Sequence, residues 1–284
     1  MPSLRLTAIF SRWVSNARQS ASGSPSVTEF MLAAFVLLGL LVAVCSPVVG
    51  LPHTYHAFAD QRDWLGLPYA MDVLTNLPFA LMGFFLLRAA RQSRGQVSSV
   101  HSALATLTGL GLVTTMLCSS IYHLQPDASG LALDRLGMAL AFAGVLGLAS
   151  ANRVSDRAGW MMACAVGVLA PLAAWWDLST ANMTPWAVLQ GAGLVLLLVL
   201  AVRPARAGAV RIPLWPVLFF YALAKILELA DEPVLALTQG LISGHSAKHL
   251  VAALALWPVA SSFQRLGPRK PAAVEKSKFS KQGA

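Results

Sequence analysis

Charge is what this sequence has least of. Asp, Glu, Lys and Arg make up 12% of its 284 residues, about half the roughly 25% of a soluble domain. Hydrophobic types reach 56% and the mean hydropathy is +0.63, which excludes an ordinary soluble fold and implies an integral membrane protein. Cysteine is also scarce. Cys45, Cys118 and Cys164 each lie in an apolar run, without the spacing of a metal or redox motif, so no disulfide framework is implied. Alternating apolar and polar residues of the kind that build an outer-membrane barrel are missing. So are an internal repeat and a soluble domain.

What is present is a series of apolar stretches near 30–49, 73–90, 102–122, 132–150, 159–176, 186–202, 213–230 and 246–263. Each is close to the ~20 residues that a helix needs to cross about 30 Å of hydrocarbon. The pattern predicts eight spans. A net charge of +9 and a pI near 10.0 would suggest nucleic acid in a soluble protein, but here the basic residues follow the membrane. Of 21 Lys and Arg, 17 fall in the termini and alternate connections: Arg5, Arg12 and Arg18; Arg88, Arg91 and Arg94; Arg153 and Arg157; Arg203, Arg206 and Arg211; and Arg265 with the tail. The opposite connections hold Arg62 and Arg135. The positive-inside rule then places both termini in the cytoplasm. Asp60, Asp63, Asp72, Asp127, Asp134, Asp177, Asp231 and Glu232 fall toward the other side.

Residues 1–29 read as a cytoplasmic tail, in which Leu6, Ile9, Phe10 and Trp13 form a weak stripe that suits an interfacial helix or a transit peptide. Residues 265–284 read as a basic cytoplasmic tail. Trp64, Tyr69, Tyr122, Trp175, Trp176 and Trp186 are expected in an outer aromatic belt, with Trp13, Trp160 and Trp215 in an inner one. Lys225 and Glu228, three apart, are expected to pair, with the holding of a lipid head group as the alternative, and Lys248 is expected to snorkel. His53, His56, His101 and Asp177 have no evident partners.

Ionisable residues at membrane depth are functional candidates by default. Ser119 and His123 are four apart at the end of the third span, and His245 and His249 are four apart at the start of the eighth. That spacing puts each pair on one helix face, a turn apart. With six histidines, a four-apart pair arises by chance in roughly one chain in ten. Topology strengthens it: Pro126 and Gly130 suggest a tight reversal that returns Asp134 toward His123, and His123, Asp134, His245 and His249 share one depth. Three histidines and a water make the open arrangement of catalytic zinc, and a carboxylate and a hydroxyl complete a hydrolytic site. Singly, each residue has a plainer role: His123 at the interface, Asp134 in a helix first turn, Ser119 bonding back to the backbone.

The string from Ser119 to Met138, with S-x-x-x-H, an Asp eleven residues on and the later H-x-x-x-H, resembles the alkaline ceramidase family and its superfamily of adiponectin receptors and Per1-like proteins. Asn76-Leu77 is similar to the opening of that family's first core helix. The resemblance covers about residues 60–263. It implies an all-α integral membrane fold with a seven-helix transmembrane hydrolase core at 60–264, preceded by one extra N-terminal transmembrane anchor and loop at 30–59. It further implies zinc on His123, His245 and His249, Asp134 handling the zinc-bound water, and Ser119 assisting the oxyanion.

The implied activity is hydrolysis of ceramide-like N-acyl lipids to a fatty acid and a sphingoid base. The membrane lipid substrate would be met near the periplasmic face of a bacterial inner membrane. In animal members an acidic calcium site begins with an Asp-Trp pair that Asp63-Trp64 resembles, but the following Glu and Asn positions hold Gly66 and Pro68, and the later Glu position falls near Tyr69. Asp60, Asp63 and Asp72 therefore read as a solvated acidic loop before a calcium or other cation site. The alternatives are a zinc hydrolase acting on a phospholipid ester or another amide, or a non-catalytic receptor or transporter with structural histidines. Broken, carboxylate-rich helices at the bilayer centre would mark transport, and none is expected.

The orientation is testable. Reporter fusions after residues 95 and 284 should read cytoplasm and one near residue 127 the opposite side; residues 95 and 127 on one side would defeat the eight-span map.

Overall fold

The computed structural model describes residues 24–267, so the stripe at 6–13 and the basic tail lie outside the described residues. The helices are α1 (Val27–Cys45), α2 (Ala70–Leu74), α3 (Leu77–Gln92), α4 (Ser99–Leu124), α5 (Ala128–Arg153), α6 (Asp156–Thr180), α7 (Thr184–Ala201), α8 (Leu214–Leu229), α9 (Asp231–Leu237), α10 (Gly244–Leu254) and α11 (Trp257–Gln264). No β-strand occurs among the described residues, only two isolated bridges. Among the described residues, six helical stretches are long and apolar enough to cross a bilayer: Val27–Cys45, Ala70–Gln92 (α2 and α3 together), Ser99–Leu124, Ala128–Arg153, Asp156–Thr180 and Thr184–Ala201. The chain is thus an all-helical, integral membrane type.

The last two expected spans are shorter than the sequence pattern suggests. α8 has 16 residues, and the stretch 246–263 is broken at Ala255-Leu256 into α10 and α11. A second break, at Thr75-Asn76, separates α2 from α3. Proline is the cause in both. Pro78 and Pro258 stand in the first turn of the following helix, where a missing N–H costs nothing but helix cannot continue from upstream without strain. Hydropathy does not register such breaks, which is why unbroken spans were expected there.

Serines and an aspartate start five of the helices. Ser26, Ser98, Asp127, Ser155 and Ser243 each accept from a backbone N–H in the first turn, satisfying donors that hydrocarbon would leave unpaired. The Ser26–Glu29 capping box also docks α1. Glu29 accepts from the Ser155 hydroxyl at the start of α6 and pairs with Arg157. Along the rest of α1, Leu37, Leu41 and Val44 are exposed, as expected of a helix facing lipid on most sides.

The densest packing joins α4 to α5 and α5 to α6. Gly111 sits against the backbone of Ala141, and Gly137 against Thr114 and Cys118. Helices with glycine at such crossings approach closely enough for van der Waals contact to hold them where lipid removes the hydrophobic driving force.

Three expectations about polar and aromatic residues change. Arg135 is not in a connection but inside α5, 3% exposed, ion-paired with Asp177 of α6. Its guanidinium also lies 5.2 Å from the centre of the Trp186 ring. Trp186 and Tyr122 are buried at 5% and 3%, so neither belongs to an interfacial belt, whereas Trp64, Trp175, Trp176 and Trp215 are exposed. Both buried rings have polar partners, which sequence pattern alone cannot reveal. Finally, His101 meets the Ser98 hydroxyl at 2.8 Å.

Removing one member of a buried ion pair strands the other. Arg135→Met should therefore destabilise the protein by about 3–5 kcal/mol, and Arg135→Met with Asp177→Leu should recover most of the loss, as read by thermal unfolding in detergent.

Candidate metal centre

The centre is assembled where the C-terminal end of α4 meets the N-terminal end of α10. The reversal after α4 is three residues, 125–127, and Asp127 closes it by accepting from Gly130 N at 2.6 Å. That bond, with a second from the Ser129 hydroxyl, holds the Asp127 carboxyl below the usual carboxylate range. The turn carries Asp134 back along α5 to the wall that Ser119 occupies on α4.

α10 is fixed at its first turn. Ser243 caps it through Ser246 N at 3.0 Å, and the Asp231 carboxylate accepts from His245 N at 2.7 Å. The other Asp231 oxygen accepts from Ala59 N at 3.0 Å, tying the loop 46–69 to the same helix end. Gly244 has a structural reason: a Cβ there would meet the Leu227 carbonyl oxygen and the backbone at Ala230 and Asp231. The helix can start this close to α8 only without a side chain.

These constraints bring His123, His245 and His249 together. All three are buried, and one ring nitrogen of each lies within 4.8 Å of the others. The Nε2 atoms of His123 and His245 are 3.3 Å apart. Two nitrogens bound at roughly 2.0–2.1 Å to one tetrahedral ion would be separated by about 3.3–3.4 Å. The third ring is oriented from outside. Thr75 Oγ1 donates to the Met71 carbonyl at 2.7 Å and lies 3.1 Å from His249 Nδ1. Its one proton being used, the hydroxyl accepts from Nδ1–H, which leaves the Nε2 lone pair for a metal. The group can hold a metal ion, and a neutral three-imidazole set is the donor chemistry that suits zinc among other borderline divalent ions.

Around the triad, Phe58 from the loop 46–69 covers two rings, its centroid 4.7 Å from His123 and 4.3 Å from His245. Tyr122 packs beside it and meets His56 Nδ1 through its hydroxyl at 2.9 Å. Asp72, fully buried, accepts from the Ser246 hydroxyl at 2.6 Å. None of Phe58, Thr75, Asp231 or Ser246 was anticipated. The first lies in a loop without periodicity, and the others are common helix-terminus types.

Ser119 and Asp134 line one cavity together with His249. The Ser119 hydroxyl faces the Asp134 carboxylate. The cavity, of about 1210 Å³ of empty space partly open to the outside, continues between α5, α7 and α8 past Leu112, Phe142, Leu189 and Leu197. All five site residues expected from the sequence thus fall at this end of the bundle.

The acidic loop does not converge in the same way. Asp60 takes a bidentate bond from Arg62 at 2.7 and 2.5 Å, which holds its carboxyl below the usual range. Asp63 accepts from Gly66 N at 2.9 Å, and Asp72 turns inward to Ser246. Among the described residues, the three histidines are the one group of His, Cys, Asp and Glu with metal-ligand geometry.

Comparison of the chain with protein families, with curated proteins and with solved structures gives no match.

His245→Ala with His249→Ala should abolish stoichiometric metal in detergent-purified protein. Thr75→Val should keep the ligands but weaken binding by about 10-fold or more, the usual effect of losing an orienting partner; elemental analysis and chelator competition measure both. Full metal in the double variant would defeat the assignment.

Proposed function

We propose that this chain is a zinc-dependent intramembrane lipid amidase, similar to alkaline ceramidase, that hydrolyses ceramide-like N-acyl lipids to a fatty acid and a sphingoid base. The observation that carries the reading is the placement of His249, Asp134 and Ser119 on the wall of one largely apolar cavity, next to the three-histidine cluster. Such a cavity suits a substrate with a polar, cleavable end and a long hydrocarbon part. In this reading α2–α3, α4, α5, α6, α7, α8 and α10–α11 are the seven passes of the core and α1 is the added anchor. The termini lie in the cytoplasm of a bacterium and the site lies near the periplasmic face.

His123, His245 and His249 would hold a divalent metal, which when bound would supply Lewis acidity for hydrolysis. Asp134 accepts the proton as the water attacks the amide carbonyl, and returns it to the departing amine. Ser119 donates a hydrogen bond to the carbonyl oxygen as negative charge develops there. Phe58 and Tyr122 shield the ligand rings from bulk water, so that these interactions act in a low dielectric. The acyl chain lies along Leu112, Leu189 and Leu197.

Asp134→Asn separates an enzyme from a binding protein, because in this reading Asp134 transfers the proton and does not ligate the metal. Metal should be retained while fatty-acid release from ceramide falls by on the order of 10²-fold or more. Loss of metal would make Asp134 a ligand or support, and unchanged turnover would remove it as the base. Absence of metal-dependent hydrolysis of any acylated lipid by the unaltered protein would favour a receptor or transporter, a class to which the breaks at Thr75-Asn76 and Ala255-Leu256 are also suited.

A further inference from the structure

One polar group in the cavity has no part in that chemistry. Tyr221, Lys225 and Glu228 recur at helical spacing along α8 and line the cavity, as does Lys248 from α10. Lys225 Nζ donates to Glu228 Oε2 at 2.5 Å, and Lys248 Nζ to Glu228 Oε1 at 2.7 Å. The expected snorkelling of Lys248 is thus overturned. Its side chain is 18% exposed and turned inward across the α8–α10 contact, because Glu228 offers a partner that hydrocarbon does not.

Two ammonium groups on one carboxylate leave one positive charge over. Asp134 lines the same cavity and lies within electrostatic reach of Lys248, but the ion pairs of both lysines are made to Glu228 and not to Asp134. Each ammonium has three donors and makes one hydrogen bond among the described residues, so four N–H groups remain. A pair serving only to neutralise Glu228 would need one lysine; Lys225, 41% exposed, stands at the open side of the group and Lys248, 18% exposed, on its inner side, where a cation is costly without an anion. The position is also informative. Lys248 directly precedes the metal-ligand candidate His249, and the apolar part of the cavity runs on toward Leu189 and Leu197. An anion held here would sit beside the scissile bond and not at the end of the acyl chain.

We propose that Lys225, Glu228 and Lys248 form an oxyanion subsite for a carboxylate or phosphate on the head group, making an anionic N-acyl lipid the preferred substrate. Glu228 holds the two ammoniums in place and tempers their charge, so that the anion is bound through charge-assisted hydrogen bonds yet can leave. This rests on the amidase reading for the fate of the bound lipid but not for its binding.

The test is equilibrium binding to the metal-loaded protein in detergent with three probes that share an acyl chain: N-oleoylethanolamine, its phosphate ester and N-oleoylglycine. At least one anionic probe should bind about tenfold or more tightly than the neutral one, and the two anionic probes tell phosphate from carboxylate. Lys225→Met with Lys248→Met should bring the ratio to within about twofold, the double Arg variant should keep it, and Glu228→Gln should raise it. If the Met variant does not fold, N-oleoylglycine against its methyl ester on unaltered protein decides. Equal binding of charged and neutral probes, or a preference that survives the double Met change, overturns the subsite. Anion preference without hydrolysis would keep the subsite and remove the amidase reading; hydrolysis without preference would do the reverse.

Discussion

Inside a bilayer no water is available to a stranded polar group, and that constraint governs where this chain can bend, break or carry charge. The partners therefore come from the protein. Glu29 meets Ser155 and Arg157, Arg135 meets Asp177, Glu228 meets Lys225 and Lys248, and Asp72 meets Ser246. Each of these joins two helices, apart from the Lys225 contact within α8. The polar groups act as position markers, fixing the registers that a smooth apolar surface between helices would leave loose.

The candidate metal centre depends on the same logic. α10 can begin at membrane depth because Ser243 and Asp231 accept from its first N–H groups, and the break at Thr75-Asn76 is tolerable because Thr75 and Asn76 bond back to the Met71 and Asp72 carbonyls. At this break Thr75 faces His249.

Much of this was legible in the sequence. The apolar runs locate the helices to within a few residues, and the one-turn spacings Ser119–His123 and His245–His249 with the reversal at Pro126 identify the cluster, since both are properties of a local period. What was not legible depends on which helix faces which. Lys248 and Arg135 look from the sequence like residues that reach for water, and only the facing carboxylates of Glu228 and Asp177 keep them inside. Phe58, Thr75 and Asp231 belong to a loop and to helix ends, where sequence has no period to read.

Charge placement around the cavity divides it into regions with different tasks. At the histidine cluster three ring nitrogens converge, an arrangement that suits a cation; Asp134 and Ser119 stand on the adjoining wall; at the α8–α10 contact two lysines share the Glu228 carboxylate, an arrangement that suits an anion. Beyond Leu112 and Leu189 the walls carry no charge. Under the proposed amidase reading, a molecule filling all of these regions has a hydrocarbon chain, a cleavable bond beside the histidine cluster and Asp134, and a group on the far side of that bond that can meet an ammonium. A neutral lipid would leave the last region unfilled. That mismatch is the physical reason why the proposed reading places substrate choice at Lys225 and Lys248 and not at the candidate metal ligands, whose proposed chemistry is indifferent to what lies beyond the amide.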